Sequence, residues 1–147
     1  MSSDTATILN NLIITSKDGE EGFRIAAENV SDQNLKKILL ERAEGCKKAV
    51  EILQKHVAEL DAQPAESGSI LGALHRRWLD LKSLITGQDD HAILVECERG
   101  EGVAEANYSE ALTEDLPENI RIIVQHQYEG VLKNHDLIRD LLNKLAV

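Results

Sequence analysis

Aromatic side chains are scarce in this chain of 147 residues, at 3% of the total. A core built almost without them must come from Leu, Ile, Val and Ala, which suits helix on helix better than sheets. With 2 prolines in the sequence, long uninterrupted helices are permitted. The 2 cysteines, Cys46 and Cys97, are too few and too far apart for a disulfide framework or a thiolate cluster. Both fall on apolar stripes and read as buried reduced thiols, and a Cys46–Cys97 bridge is open only where their helices touch. No run approaches the ~20 apolar residues of a membrane span. The N-terminal stretch MSSDTATILNNL lacks the basic region and apolar run of a signal peptide. Excess positive charge is also lacking: the formal net charge is -10. Such a surface repels phosphate backbones and anionic bilayers. These absences predict a soluble, cytoplasmic protein with no nucleic-acid or membrane partner.

What is present is helical periodicity. Hydrophobic residues make up 42% of the chain, enough for one domain over residues 1–147. Apolar residues recur at 3–4 spacing in five segments. The first runs from about Asp4 to Asn29, with Ile8, Leu12, Gly19, Phe23, Ala26 and Val30 on its stripe. The second, with Ser31 as its expected cap, runs to about Leu60 and carries Leu35, Leu39, Ala43, Cys46, Val50, Leu53, Val57 and Leu60. The stretch Asp61–Ser69 reads as a loop. A short helix from Ile70 to about Ile85 follows. The fourth segment, capped by Asp89 or Asp90, reaches about Glu114, and the last starts at Pro117. Four of these helices are long, at roughly 40 Å each. Two hairpins, each tightly joined, with one long connection between them predict an all-α, ferritin-like four-helix bundle whose crossover carries a short extra helix.

The segments Asp18-Gly19-Glu20-Glu21-Gly22-Phe23, Ser67-Gly68-Ser69 with His75-Arg76-Arg77-Trp78, and Asn134-His135-Asp136 resemble a bacterial family of unknown function, domain-of-unknown-function family 2383. The resemblance covers nearly the whole chain. It implies a ferritin-like fold and no particular activity.

The last two long helices interrupt their apolar stripes with Glu98, Glu101, Glu105, Gln127, Asn134 and His135. At about 100° per residue, Glu101 lies near the stripe centre of its helix and Gln127 near that of the last, with Asn134 and His135 flanking. Arg42 is the charged residue nearest the stripe centre of the second helix, and Glu20 sits at the edge of the first. Under the crossover topology Glu20, Arg42, Glu98 and His135 fall about 4–6 Å to one side of the midplane and Glu101 about 1 Å from it. Buried charges need partners. Glu20, Arg42, Glu98, Glu101 and His135 are therefore expected to form a polar core network, with Arg42 pairing Glu20 or Glu101 and His135 bonding Glu98 or Glu101.

The alternative is a metal site of Fe or Mn held by Glu20, Glu98, Glu101 and His135. Against it, the ferritin-like di-iron pattern needs a Glu-x-x-His from each of two helices, and the sequence has none. Three functions compete: a non-catalytic bundle acting through partner association in bacterial stress physiology, a metal-dependent redox or storage protein, and a small-molecule binder using space left by Gly19 and Ser16. His75, Arg76, Arg77 and Trp78 form a possible partner patch or an anchor for the short helix. Gly19 and Gly22 cost helix stability and are expected to permit close approach of a neighbouring helix. Ile13, Ile14, Ile25, Ile122 and Leu137 lie off the stripes and point to a second packing surface, for the short helix or for another copy in a homo-oligomer.

Overall fold

The computed structural model describes residues 2–60 and 89–145. Four helices carry the described chain: α1 (Ser2–Asn29), α2 (Gln33–Glu59), α3 (Asp90–Leu112) and α4 (Glu118–Leu145). The expected loop over 61–69, the short helix over 70–85 and the motif His75, Arg76, Arg77 and Trp78 all lie outside the described residues. Among the described residues, no helix is long and apolar enough to cross a membrane.

Local chemistry sets the helix ends. Asp32, rather than the expected Ser31, caps α2: its carboxylate accepts from the amides of Asn34 and Leu35. Ser31 sits one residue too early, and its own amide is held by Asp90 instead. Asp89 caps α3 by accepting from Ala92 N–H at 2.8 Å. The carbonyl of Pro117 starts the bonding of α4, accepting from Ile120 and Arg121. Arg121 then donates back to the carbonyls of Leu112 and Glu114, closing the turn between α3 and α4.

Contacts distant in sequence give the topology. Asp90 accepts from Ser31 N–H at 2.7 Å and Asp32 N–H at 3.0 Å, so α3 begins beside the α1–α2 turn. Further along, Thr15 meets Asn107 and Ser16 meets Tyr108, so α1 and α3 run antiparallel. The α2 C-terminus therefore lies at the end of the bundle opposite the start of α3. The connection from Leu60 to Asp89 joins opposite ends, and the order is up-down-down-up, as in ferritin-like bundles.

The core falls into two apolar clusters. Phe23, Leu39, Ala43, Leu94 and Ile138 anchor one, near the α1–α2 turn. Leu12, Leu53, Tyr108 and Val124 anchor the other, toward the far end. The predicted stripe of α2 is buried from Leu35 to Val57. Both thiols are free and buried. Ile13 and Ile14 are buried within the chain, whereas Ile122 and Leu137 stay exposed. Helix α1 packs closely on α2, α3 on α4 and α1 on α3, but α2 and α4 barely touch.

The Asp90 carboxylate ties the two hairpins together through charge-assisted hydrogen bonds. Asp90→Ala is expected to cost about 1–2 kcal/mol, discounted for its exposure. Thermal unfolding should register a drop of a few degrees. An unchanged melting temperature would show that the clamp adds nothing.

Candidate functional site

Between the two apolar clusters the interior turns polar. Arg42, projecting from α2, donates through Nε to Glu101 Oε1 on α3 at 2.7 Å. The glutamate side chain is 1% exposed and the arginine 12%. The guanidinium lies over the Phe23 ring, 5.4 Å from its centroid, a cation–π contact that seats it further. Burial pushes the Glu101 carboxyl above its ordinary range, and the charge and hydrogen bond of Arg42 draw it only part of the way back. Burial also opposes the charge on Arg42, but the fields of Cys46 and Glu101 outweigh it and the net direction is upward. The second carboxylate oxygen, Glu101 Oε2, is buried and has no hydrogen-bond partner among the described residues.

The remaining expected residues do not join this pair. His135 is buried, at 4% exposure, in the seam between α3 and α4. Its Nε2 lies 3.1 Å from Glu98 Oε2 and its Nδ1 3.4 Å from Glu105 Oε2. Arg139 stands 3.7 Å from Glu98 on the outer side. Glu20 is a correction. It pairs with Arg24 at 2.7 Å, one helical turn along α1, rather than with Arg42. A residue at a stripe's edge reaches solvent more cheaply than it reaches the interior, and Arg24 offers a local partner at i,i+4. His135, expected to flank the stripe and to point inward, lies on the buried face of α4. The five-residue network is thus a buried ion pair, a histidine–carboxylate seam and a surface pair.

A hydrogen-bonded belt crosses the bundle about two helical turns further toward the far end, ~10 Å from the ion pair. The hydroxyl of Tyr108 donates to Gln127 Oε1 at 2.8 Å, so the 3.1 Å contact with Ser16 has the serine as donor. Gln127 Nε2 reaches the carbonyl of Ala49 at 3.4 Å. Ser16, Tyr108, Gln127 and Ala49 come from α1, α3, α4 and α2, so the belt touches every helix. Asn107 adds a bond to Thr15 at 3.0 Å. Tyr108 reads from sequence as an apolar stripe residue. Its hydroxyl role has a signal there only in hindsight, in the inward polar residues Ser16 and Gln127.

Beside the ion pair and the belt lies a cavity of about 310 Å³ lined by all four helices. Small residues make the space: Gly19, Gly45, Ala49, Gly100, Ala104 and Gly130. Gly45, Lys48, Ile52, His126 and Gly130 line it and are exposed, which places a mouth between α2 and α4. The space assigned from sequence to Gly19 and Ser16 is part of this cavity. Gly19 also permits close approach: an added Cβ would stand 3.1 Å from Cys46 Sγ on α2. Burial holds Cys46 up at about 11 and Tyr108 at about 12, so both stay neutral near pH 7.

The donor set does not fit the metal pair that the fold brings to mind. Arg42 is a cation placed against Glu101, the most central carboxylate. Ala43 and Cys46 occupy the buried face of α2 where acidic ligands would stand. The imidazole of His135 has its two nitrogens near different glutamates, Nε2 bonded to Glu98 and Nδ1 only close to Glu105, rather than converging with them on one point. Among the described residues, no group of three or more His, Cys, Asp or Glu side chains could hold a metal ion.

Comparison with known proteins agrees with this architecture. The family described as "Domain of unknown function (DUF2383)" matches residues 4–114, and the chain belongs to it. No curated protein matches the sequence. Among solved structures, the chain is similar to a two-domain protein from Anabaena variabilis that contains DJ-1/ThiJ/PfpI-like and ferritin-like domains. The TM-score is 0.81 at 16% identity, over 98% of this chain and 40% of that one. The likeness shows a shared ferritin-like fold.

Removing Arg42 leaves Glu101 buried without its counter-charge. Arg42→Ala is expected to destabilise by about 3–5 kcal/mol at neutral pH. The sign with pH follows from the raised carboxyl. A glutamate whose folded pKa lies above its unfolded value adds stability in its protonated form, and that stability is lost as pH rises through the folded value. The deficit of the variant should therefore shrink as the pH is lowered from neutral and Glu101 takes up its proton. Denaturant unfolding across that range checks this. A loss below about 1 kcal/mol, or a deficit that grows on acidification, would contradict the assignment.

Proposed function

We propose that this DUF2383 protein is a non-catalytic ferritin-like bundle in which the Arg42–Glu101 pair takes the place of a metal pair and the adjoining cavity binds a small organic molecule. The cavity between the two apolar clusters carries this reading. Its volume lies at the lower end of the range for ligand pockets, and it joins apolar walls to a few convergent polar groups, the usual composition of such sites. The neutral, high-pKa states of Cys46 and Tyr108 support binding over chemistry, because neither group is tuned near working pH as a base or nucleophile would be. The cationic Arg42 beside Glu101 argues against iron or manganese at that position.

A second reading, association with a protein partner, is favoured by one observation. The Anabaena variabilis protein carries its ferritin-like domain in one chain with a DJ-1/ThiJ/PfpI-like domain. Partner association and ligand binding are compatible.

Two measurements test the first reading. Protein expressed with added iron or manganese and purified without chelator is expected to hold no stoichiometric metal. A stoichiometric ion that disappears in Glu101→Ala would reject the reading. For the cavity, an added Cβ at Gly130 meets nothing within 4 Å, so Gly130→Leu is expected to fold and to obstruct the mouth. In a thermal-shift screen of small organic molecules, ligands should raise the melting temperature of the native chain by a few degrees at saturation, corresponding to ~2–3 kcal/mol at a hundredfold excess over Kd. The same ligands should leave Gly130→Leu unmoved. Equal shifts in both proteins would place binding elsewhere.

A further inference from the structure

The lining of the cavity specifies what kind of molecule would enter it. Three cations, Arg42, Lys48 and Arg99, face three carboxylates, Asp18, Glu96 and Glu101, so the lining has no net formal charge. Arg99 is already paired with Glu96. Arg42 is committed through Nε to Glu101 and through its plane to Phe23. The positive groups are thus balanced rather than gathered as an anion site would require. The feature that asks for a partner is an acceptor. Glu101 is 1% exposed, lines the cavity, and keeps Oε2 unbonded among the described residues. A buried carboxylate oxygen without a donor is costly, and a ligand that supplies one recovers that cost.

Size narrows the choice. An apolar cavity of about 150 Å³ accommodates benzene. This one, at about 310 Å³, has room for one or two rings. The walls offer aromatic surface from Phe23 and Tyr108 and flat approach over Ala104 and Gly100.

We propose that the cavity takes an uncharged molecule of one or two rings bearing an O–H or N–H donor, which it directs to Glu101 Oε2. This rests on the reading of the cavity as a binding site and adds the chemical class of its occupant.

The test compares three probes of nearly equal shape on the full chain by calorimetric titration: 2-naphthol, naphthalene and 2-naphthoate. The expected result is binding of 2-naphthol at least about tenfold tighter than naphthalene, the scale of a hydrogen bond to a charged group. In parallel, the side-chain carboxyl ¹³C resonance of Glu101 should move on addition of 2-naphthol and hold still with naphthalene. Equal affinity for 2-naphthol and naphthalene would overturn the donor requirement while leaving the cavity a binding site. Tightest binding by 2-naphthoate would overturn it in favour of recognition by Arg42. Binding by none of the three would remove both the inference and the reading beneath it.

Discussion

A guanidinium from one hairpin and a carboxylate from the other meet in the interior, and the rest of the bundle is arranged around that fact. Glu101 is almost wholly and Arg42 largely withdrawn from water, and either would be expensive to bury alone. Each therefore dictates the position of the other. The pair holds α2 to α3 across the diagonal of the bundle and helps fix the relative register of the hairpins. It also explains why the core comes in two clusters rather than one: apolar residues end where the charges begin. The cavity is the by-product of that break. Small residues on every helix keep it from being filled, and the loose approach of α2 to α4 leaves it an opening.

The scaffold is of a kind that elsewhere surrounds metal with paired carboxylates and histidines. Here the same interior carries a different solution to the problem of buried charge. A guanidinium supplied by the chain itself stands against Glu101, and His135 is buried in the seam between α3 and α4 beside Glu98 and Glu105. The fold shared with the Anabaena variabilis protein at 16% identity thus says how the helices are connected, while the side chains inside decide what the molecule can hold.

Much of the fold was legible before any coordinates, and for a physical reason. Stripes such as Leu35 to Val57 on α2 obey helical geometry, and tertiary packing confirmed that face residue by residue. The inward placement of Glu101 followed from the same angular count. The errors came at stripe edges. There, a rotation of some tens of degrees decides whether a side chain is wet or dry, and only the neighbouring helix settles it. Glu20 went out to Arg24 for that reason. The belt through Tyr108 was beyond the reach of sequence because a tyrosine on an apolar stripe has the same periodicity whether or not its hydroxyl finds Ser16 and Gln127. The cavity was anticipated only as spare room beside Gly19 and Ser16, since empty space is a property of four helices together.

The bonds that cross this interior join residues far apart along the chain. Ser16 meets Tyr108 across 92 positions, Ala49 meets Gln127 across 78, and Asp90 reaches Ser31 across 59. Helical bundles generally fold fast because their contacts are local, and rate falls as the mean separation of partners grows. A nascent first hairpin of this protein would leave the ribosome with Arg42 still lacking Glu101, and with core residues such as Leu39 and Leu53 still waiting for α3 and α4. Its interior is therefore complete only on the arrival of the second hairpin.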